Sequence, residues 1–363
     1  MRKKPRLSFK QLFLMLLIAF IVLTITWIAG CSKQPRTGGS PFPPLKEEPA
    51  IQTPPEPVSV ATPKGHPDGK AVVLCYHQLV IRKPVFNSEL NIEDFRAQMK
   101  YLADNGYTTL SLAEFKNCLA QRSFPPKSVL ITFDDGYKTF YTLAYPILKE
   151  YRLKAAVFPV VSFTPGLERR ITWGEHLRFY HLRAMLEDSD LIDVGSHSYD
   201  LHYRTEDRKV RETETPVKQP AGGACSDELA PDGPTPILLT DAADSEPPAE
   251  IPHRSLPGRP AVEQAPGEDT DAYQKRLYRD LRLAKDVLEA QIGREVIALS
   301  WPYGRATPAA VEAGRRAGYR LFFTTAGTPV TSATKADAIP RYLVQNGSLE
   351  EFKAILSSVS PVS

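Results

Sequence analysis

Cysteine is scarce, with four in 363 residues at positions 31, 75, 118 and 225. So sparse a set excludes a disulfide-stapled fold. Without a Cys-x-x-Cys pair, the usual cysteine-based structural zinc site is excluded too. Charge of one sign is also lacking, since 45 Lys and Arg against 42 Asp and Glu leave a formal +3. That balance supplies no bulk attraction for nucleic acid, which is not expected as a partner. Hydrophobic residues at 42% and charged residues at 24% are ordinary for a soluble globular protein and speak against both wholesale disorder and a multi-span membrane protein; the apolar run Leu12–Ile28 reaches the short end of a membrane span. Proline is what the chain has in excess: 33 residues, about 9% against an ordinary ~5%.

The surplus is local. Ten prolines lie in 32–69 and eleven in 205–270. The first stretch reads as an extended, semi-rigid tether. The second is acidic, lacks sustained periodicity and has one short apolar cluster, Ile237-Leu238-Leu239. It reads as a long disordered surface insertion, with folding over a substrate cleft as the other option. The folded body is then 70–357, interrupted at 205–270. Ahead of the tether, the basic start Met1–Arg6 precedes the apolar run, which ends at Ile28-Ala29-Gly30-Cys31. Residues 1–31 read as a signal peptide or an uncleaved signal anchor, and both place the rest outside the cytoplasmic membrane. Small residues followed by Cys31 resemble the lipobox of bacterial lipoproteins. That resemblance implies a lipidated Cys31 and a cell-envelope protein held to a membrane by its lipid. Ser32, where an Asp would resemble an inner-membrane retention signal, favours the periplasmic face of an outer membrane in a cell that has one.

The remainder alternates strand and helix signals. Apolar runs at Val72–Tyr76, Val129–Phe133, Ala155–Val160, Ile192–Val194, Val296–Trp301 and Leu321–Thr325 suit buried strands. Asn91 can cap a helix with Asp94 at its third position, aligning Phe95, Met99 and Leu102 until Gly106 stops it. Further helices are expected around Thr139–Tyr151, from an entry at Thr172–Glu175 that leaves His176 and His181 on the surface, and along Leu277–Ile292. Repeated βα units mean an α/β fold with a mainly parallel sheet, open or closed into a barrel. In such folds the chemistry sits where strand carboxyl ends run into loops.

Four strand ends carry reactive residue types. Thr132-Phe133-Asp134-Asp135-Gly136 sets two carboxylates side by side, whose repulsion a cation or a shared proton would relieve; Asp-Asp-Gly is also ordinary turn chemistry. His197 and His202 are five apart, which puts them on different faces of a regular helix or strand. They converge only in an irregular loop, where two imidazoles and a carboxylate leave open positions on a catalytic metal. His77 ends the first strand, as an acid, a base or a structural residue. Trp301-Pro302-Tyr303-Gly304 ends another, with aromatics to wall a sugar site and a backbone N–H to face an oxyanion, or a core Trp before a turn.

Together these residues resemble the polysaccharide deacetylase family, the nodulation-protein-like carbohydrate esterases, over about 70–204 and 272–345. The resemblance implies a distorted (β/α) barrel and a metal-dependent N-deacetylase. Asp134 would be the general base, and Asp135, His197 and His202 the ligands of a divalent metal: zinc, with iron, cobalt or nickel also suited to such donors. Pro302 and Tyr303 would line the oxyanion and substrate side, with Trp301 beside them. Three features depart from the family pattern. The histidines are five apart rather than four. Ser300 stands where an Arg orients the base, with Arg341 as a substitute. No Leu-x-His motif follows near the carboxyl end, and His77 precedes the acidic pair instead. That order resembles the circularly permuted branch that includes deacetylases of poly-β-1,6-N-acetylglucosamine, with His77 as general acid. It implies an N-acetylated biofilm polysaccharide as substrate and exopolysaccharide export machinery as a partner. Peptidoglycan or chitin-like glycans are the alternative substrates, and a catalytically silent polysaccharide-binding lipoprotein is the alternative class.

Overall fold

The computed structural model describes residues 65–66, 69–164, 175–203 and 260–359. The signal segment with Cys31, most of the tether, Trp173 and residues 204–259 lie outside the described residues.

Among the described residues ten strands follow in chain order: β1 (Ala71–Tyr76), β2 (Gln78–Val80), β3 (Glu89–Asn91), β4 (Thr108–Thr109), β5 (Ser128–Asp135), β6 (Ala155–Pro159), β7 (Ile192–Val194), β8 (Ala298–Ser300), β9 (Leu321–Phe323) and β10 (Tyr342–Leu343). Among the described residues seven α-helices accompany them: α1 (Ile92–Asp104), α2 (Leu112–Gln121), α3 (Tyr145–Glu150), α4 (Phe179–Asp188), α5 (Thr270–Ile292), α6 (Pro308–Ala317) and α7 (Leu349–Leu356). The main sheet runs β10-β1-β5-β6-β7, all parallel, with β4 added beside β5. A parallel bridge from Ser196 to Leu299 carries the ring from β7 to β8, which pairs with β9. A second bridge, Phe323 to Ile339, leads back to β10. The strands thus close into the distorted (β/α) barrel expected, with single bridges where a regular barrel has ladders.

Side chains alternate along each strand, so every second residue faces the barrel interior. Ala71, Val73, Leu130, Ala156, Phe158, Ala298, Leu321, Phe323 and Ile339 form one buried cluster, joined by Leu112, Phe115 and Cys118 of α2. The intervening residues, such as Val72, Leu74, Val129 and Ile131, pack outward against α1 and α5. Counting on in twos along the inner face, the apolar filling gives way to Cys75, Thr132, Asp134, Ser300 and Arg341 at the carboxyl ends. The barrel is greasy in its body and polar at one mouth.

Some local expectations change. The cap on α1 is made by the Asn91 side chain accepting from Glu93 N–H, rather than through Asp94. The expected 139–151 helix opens with a π-helical turn, Phe140–Ala144, before α3. Glu175 and His176 are not helical, because Lys138 N–H donates to Glu175 O, Leu177 N–H donates to Gly136 O and His176 bridges Tyr137; α4 starts only at Phe179. His181 is buried rather than on the surface, and its Nδ1 accepts from Arg178 N–H at 2.9 Å. Burial, with Lys138 and Arg178 nearby, pushes its imidazole down to about 4. The expected insertion also ends earlier than residue 270. The described chain resumes at Pro260, Ala261 and Val262 are buried, and Ala261 N–H donates to Tyr203 O at 3.0 Å. Arg276 and Tyr273 of α5 satisfy the carbonyls of Ala261 and Val262, which ties 260–269 to the folded body.

Candidate metal and catalytic site

The acidic pair ends β5. In a regular strand two adjacent side chains face opposite ways, but Asp135 and Gly136 both adopt left-handed backbone, at φ 67° and 71°. That kink lets the second carboxylate share the mouth with the first. Gly136 is also held tightly, since a Cβ there would lie 2.8 Å from Pro159 Cα. Gly136→Ala is expected to cost at least about 1–2 kcal/mol for the left-handed conformation alone, read as a lower midpoint in urea unfolding.

Asp135 meets both loop histidines. His197 Nε2 lies 3.3 Å and His202 Nε2 3.2 Å from Asp135 Oδ1, and one donor atom from each residue lies within 4.8 Å of the others. Asp135 Oδ1 is buried, yet no neighbour among the described residues meets it in hydrogen-bond geometry. The three donors are crowded together, and two imidazoles plus a carboxylate are a fitting donor set for a divalent cation. His197 Nδ1–H donates to Ser300 O at 2.8 Å, which leaves the Nε2 lone pair for a metal. Burial pulls both imidazoles towards the neutral form. For His197 the two carboxylates outweigh burial and raise its pKa. For His202, burial with His197 and His77 nearby leaves it lowered. Burial likewise opposes ionisation of Asp135, but His202 and His197 hold its carboxyl well below the usual range.

The five-residue histidine spacing works because the intervening loop is irregular. Ser198 is left-handed at φ 72°. Its N–H donates to Ser196 Oγ, and its own Oγ accepts from Leu201 N–H at 3.0 Å.

Asp134 is buried beneath this triad against Arg341, which is wholly buried as well. Arg341 donates to Asp134 Oδ1 at 2.8 Å and Oδ2 at 2.7 Å, to Thr132 Oγ1 at 3.1 Å, to Ser300 Oγ at 2.8 Å and to Thr324 O at 3.1 Å. All five guanidinium donors are therefore used. Ser300 Oγ donates to Asp134 Oδ2 at 3.0 Å, and the Cys75 thiol approaches the same oxygen at 3.5 Å. Burial alone would raise the Asp134 carboxyl, but Arg341 and His197 hold it well below the ordinary carboxylate range. Arg341 thus reaches this carboxylate from the residue just before β10, while Ser300 of β8 adds its hydroxyl to the same oxygen. Burial drives the Cys75 thiol well up, so it stands here as a neutral donor. In the sequence only its inner-face parity with Val73 marks Cys75.

His77 reaches the same place from the end of β1. A ring nitrogen of His77, Cys75 Sγ and a carboxylate oxygen of Asp134 lie within 4.8 Å of one another. His77 Nδ1 is buried with no hydrogen-bond partner among the described residues. On the opposite rim Tyr303 is 39% exposed, left-handed at φ 59°, with its ring 4.8 Å from that of His202. Trp301 differs from expectation. It is fully buried and stacked on Phe322 at 5.9 Å, so it is a core residue and not a sugar wall. Pro302 is buried behind Tyr303 and shapes the turn instead of presenting a surface. Of the six non-glycine residues with positive φ among the described residues, Asp135, Ser198 and Tyr303 lie at this mouth. Backbone strain of this kind gathers where function over-determines geometry.

Comparison with known proteins agrees with this geometry. A family model described as polysaccharide deacetylase matches residues 121–221. Poly-beta-1,6-N-acetyl-D-glucosamine N-deacetylase of Escherichia coli (strain K12) is 28% identical over 279 residues, covering 74% of this chain and 35% of that protein. The chain thus spans about a third of that relative's length. The Staphylococcus epidermidis protein of the same name is 22% identical over 270 residues, covering 74% of this chain and 72% of that protein. In fold, the chain superposes on a de-N-acetylase from Aggregatibacter actinomycetemcomitans with a TM-score of 0.57 at 22% identity, over 78% of this chain and 99% of the other. With the acidic pair and the two loop histidines at one mouth of a closed parallel barrel, residues 121–221 match the polysaccharide deacetylase family model, and the chain is similar to N-deacetylases over most of its length.

Proposed function

We propose that this protein is a metal-dependent hydrolase that removes N-acetyl groups from an N-acetylglucosamine polysaccharide, most specifically a poly-β-1,6-linked glycan of the kind that builds biofilm matrix. One observation carries the reading: a buried, Arg-paired carboxylate, Asp134, beside a second carboxylate and two imidazoles gathered within 4.8 Å of one another.

Asp135, His197 and His202 are the ligands in this reading, and zinc suits the set, as do iron, cobalt and nickel. When bound, the cation would bring a water's pKa towards 7 and polarise the acetamide carbonyl. Asp134, kept ionised and aimed by Arg341, would accept a proton from the attacking water. The Tyr303 backbone N–H, at the rim beside His202, donates to the oxyanion. His77 protonates the departing amine, which leaves poorly as an anion. Acetate and a free glucosamine unit are the products. Cys31 is the lipidation site in this account and 32–69 the tether, which hold the barrel in the cell envelope where exported glycan passes its export machinery; the support for this placement is the leader sequence.

Acetate release from defined β-1,6 and β-1,4 N-acetylglucosamine oligomers tests the proposal. Release from the β-1,6 series is expected, lost on chelation and restored by a divalent metal. Release from neither series with metal supplied would leave a polysaccharide-binding protein. Release from β-1,4 oligomers alone would turn the assignment towards peptidoglycan or chitin-like glycans.

A further inference from the structure

The long helix α5 carries a carboxylate beside its apolar stripe. Tyr273, Leu277, Leu281, Ala284 and Leu288 face the core, and Asp280 flanks them, half-buried. Its two oxygens accept from consecutive backbone N–H groups: Oδ1 from Tyr199 at 2.9 Å and Oδ2 from Asp200 at 2.8 Å. Those two residues are the middle of the loop that separates His197 from His202.

The rest of the loop is held from the other side. Val161 N–H donates to Ser198 O at 3.1 Å, Ser162 N–H donates to Tyr199 O at 2.9 Å, and Ser162 Oγ donates to Asp200 Oδ1 at 2.9 Å. His197 is locked independently, through Nδ1 on Ser300 O. His202 stands at the far end, so its position relative to His197 follows from the path of 198–201. A carboxylate gripping two successive N–H groups fixes that path more tightly than a single bond would, because both peptide planes must orient towards one side chain.

We propose that Asp280 is a positioning residue that sets the spacing of the two imidazole donors and thereby the affinity of the site for a divalent cation. The proposal rests on the reading of Asp135, His197 and His202 as metal ligands. Asparagine at 280 would accept with one oxygen only and turn an NH2 group on the second N–H. Loss of such an outer partner typically weakens metal binding about 10–100-fold.

The full chain, stripped of metal, is titrated with zinc against a chromophoric chelator and separately loaded with cobalt(II) for its visible spectrum. Asp280→Asn is expected to raise the zinc Kd about 10–100-fold, to alter the cobalt bands, and to recover most of kcat at saturating zinc with KM unchanged. Asp286→Asn, on the same helix in a surface pair with Arg282, should bind zinc like wild type. Where Asp280→Asn does not fold, Asp280→Glu keeps both acceptors but moves them, and an intermediate Kd is expected. Wild-type zinc Kd and cobalt spectrum in either Asp280 variant would overturn the proposal, even if the variant unfolds more easily. If His202→Ala binds zinc as wild type does, the ligand assignment itself fails and this proposal falls with it.

Discussion

Asp134→Asn is expected to lower the rate of acetate release by about 10²–10⁴-fold, the usual worth of a positioned general base, while zinc binding persists. The amide keeps the shape of the carboxylate but cannot take a proton from water. The ligand set is untouched, since Asp135, His197 and His202 meet one another without Asp134. A cost in stability accompanies the loss. Arg341 is fully buried, and two of its hydrogen bonds go to Asp134, so the variant strands a guanidinium away from water; removing one partner of a buried pair costs about 3–5 kcal/mol. Zinc titration and urea unfolding run beside the rate measurement separate the two effects. A variant that still folds, still binds zinc and still releases acetate at more than about a tenth of the wild-type rate would remove Asp134 from the base role.

Arg341→Leu probes the same pair from the other side. Asp134 then remains buried without its cation, and a loss of about 3–5 kcal/mol at neutral pH is expected. The pH dependence distinguishes this from a simple packing defect. In the wild type the Asp134 carboxyl is held below its unfolded value, by Arg341 above all once burial is overcome. Its contribution is therefore fully present above the unfolded pKa of about 3.9 and is lost as pH falls through the folded value. Without Arg341, burial dominates and raises the folded pKa. Protonation then relieves the variant, so the stability gap between the two proteins should narrow as the medium is acidified. The acid limb of kcat/KM should move to higher pH for the same reason. Unfolding midpoints that stay separated by a constant amount from neutral pH down to about 4 would show that the pair is not electrostatically coupled in this way.

Both experiments turn on contacts that join residues far apart in the chain. The acidic pair, the two histidines and His77 stand out because their residue types sit at strand ends, and strand ends are visible as the edges of apolar runs. Their common location follows from the βα order. What alternation could not show is which strands become neighbours around the ring. Arg341 reaches Asp134 across a separation of 207 residues, because β10 pairs with β1 and β1 with β5. Sequence spacing offers no hint of that adjacency; Arg341 stood out only as a substitute for the Arg that the resemblance placed at Ser300. Asp280 is a similar case. Nothing in the apolar stripe of its helix marks it, because its partners Tyr199 and Asp200 lie 81 and 80 residues earlier. Trp301 went the other way. A Trp before Pro-Tyr-Gly suits a sugar platform as well as a core, and only the packing against Phe322 separates the two.

The scarcity of cysteine argued against a stapled fold and the balance of charge offered nucleic acid no bulk attraction, while the rhythm of apolar runs determined a parallel α/β body with reactive groups at one end of its strands. Those properties are local, set by composition and by periods of two and 3.6 residues that any segment carries within itself. Tertiary structure alone decided that the ring closes, that Arg341 pairs with Asp134, that Cys75 is part of the polar mouth and that His197 and His202 meet over Asp135. Each depends on strand order and on a few left-handed residues, which bring distant groups within about 3 Å of one another in a way that no one-dimensional pattern encodes.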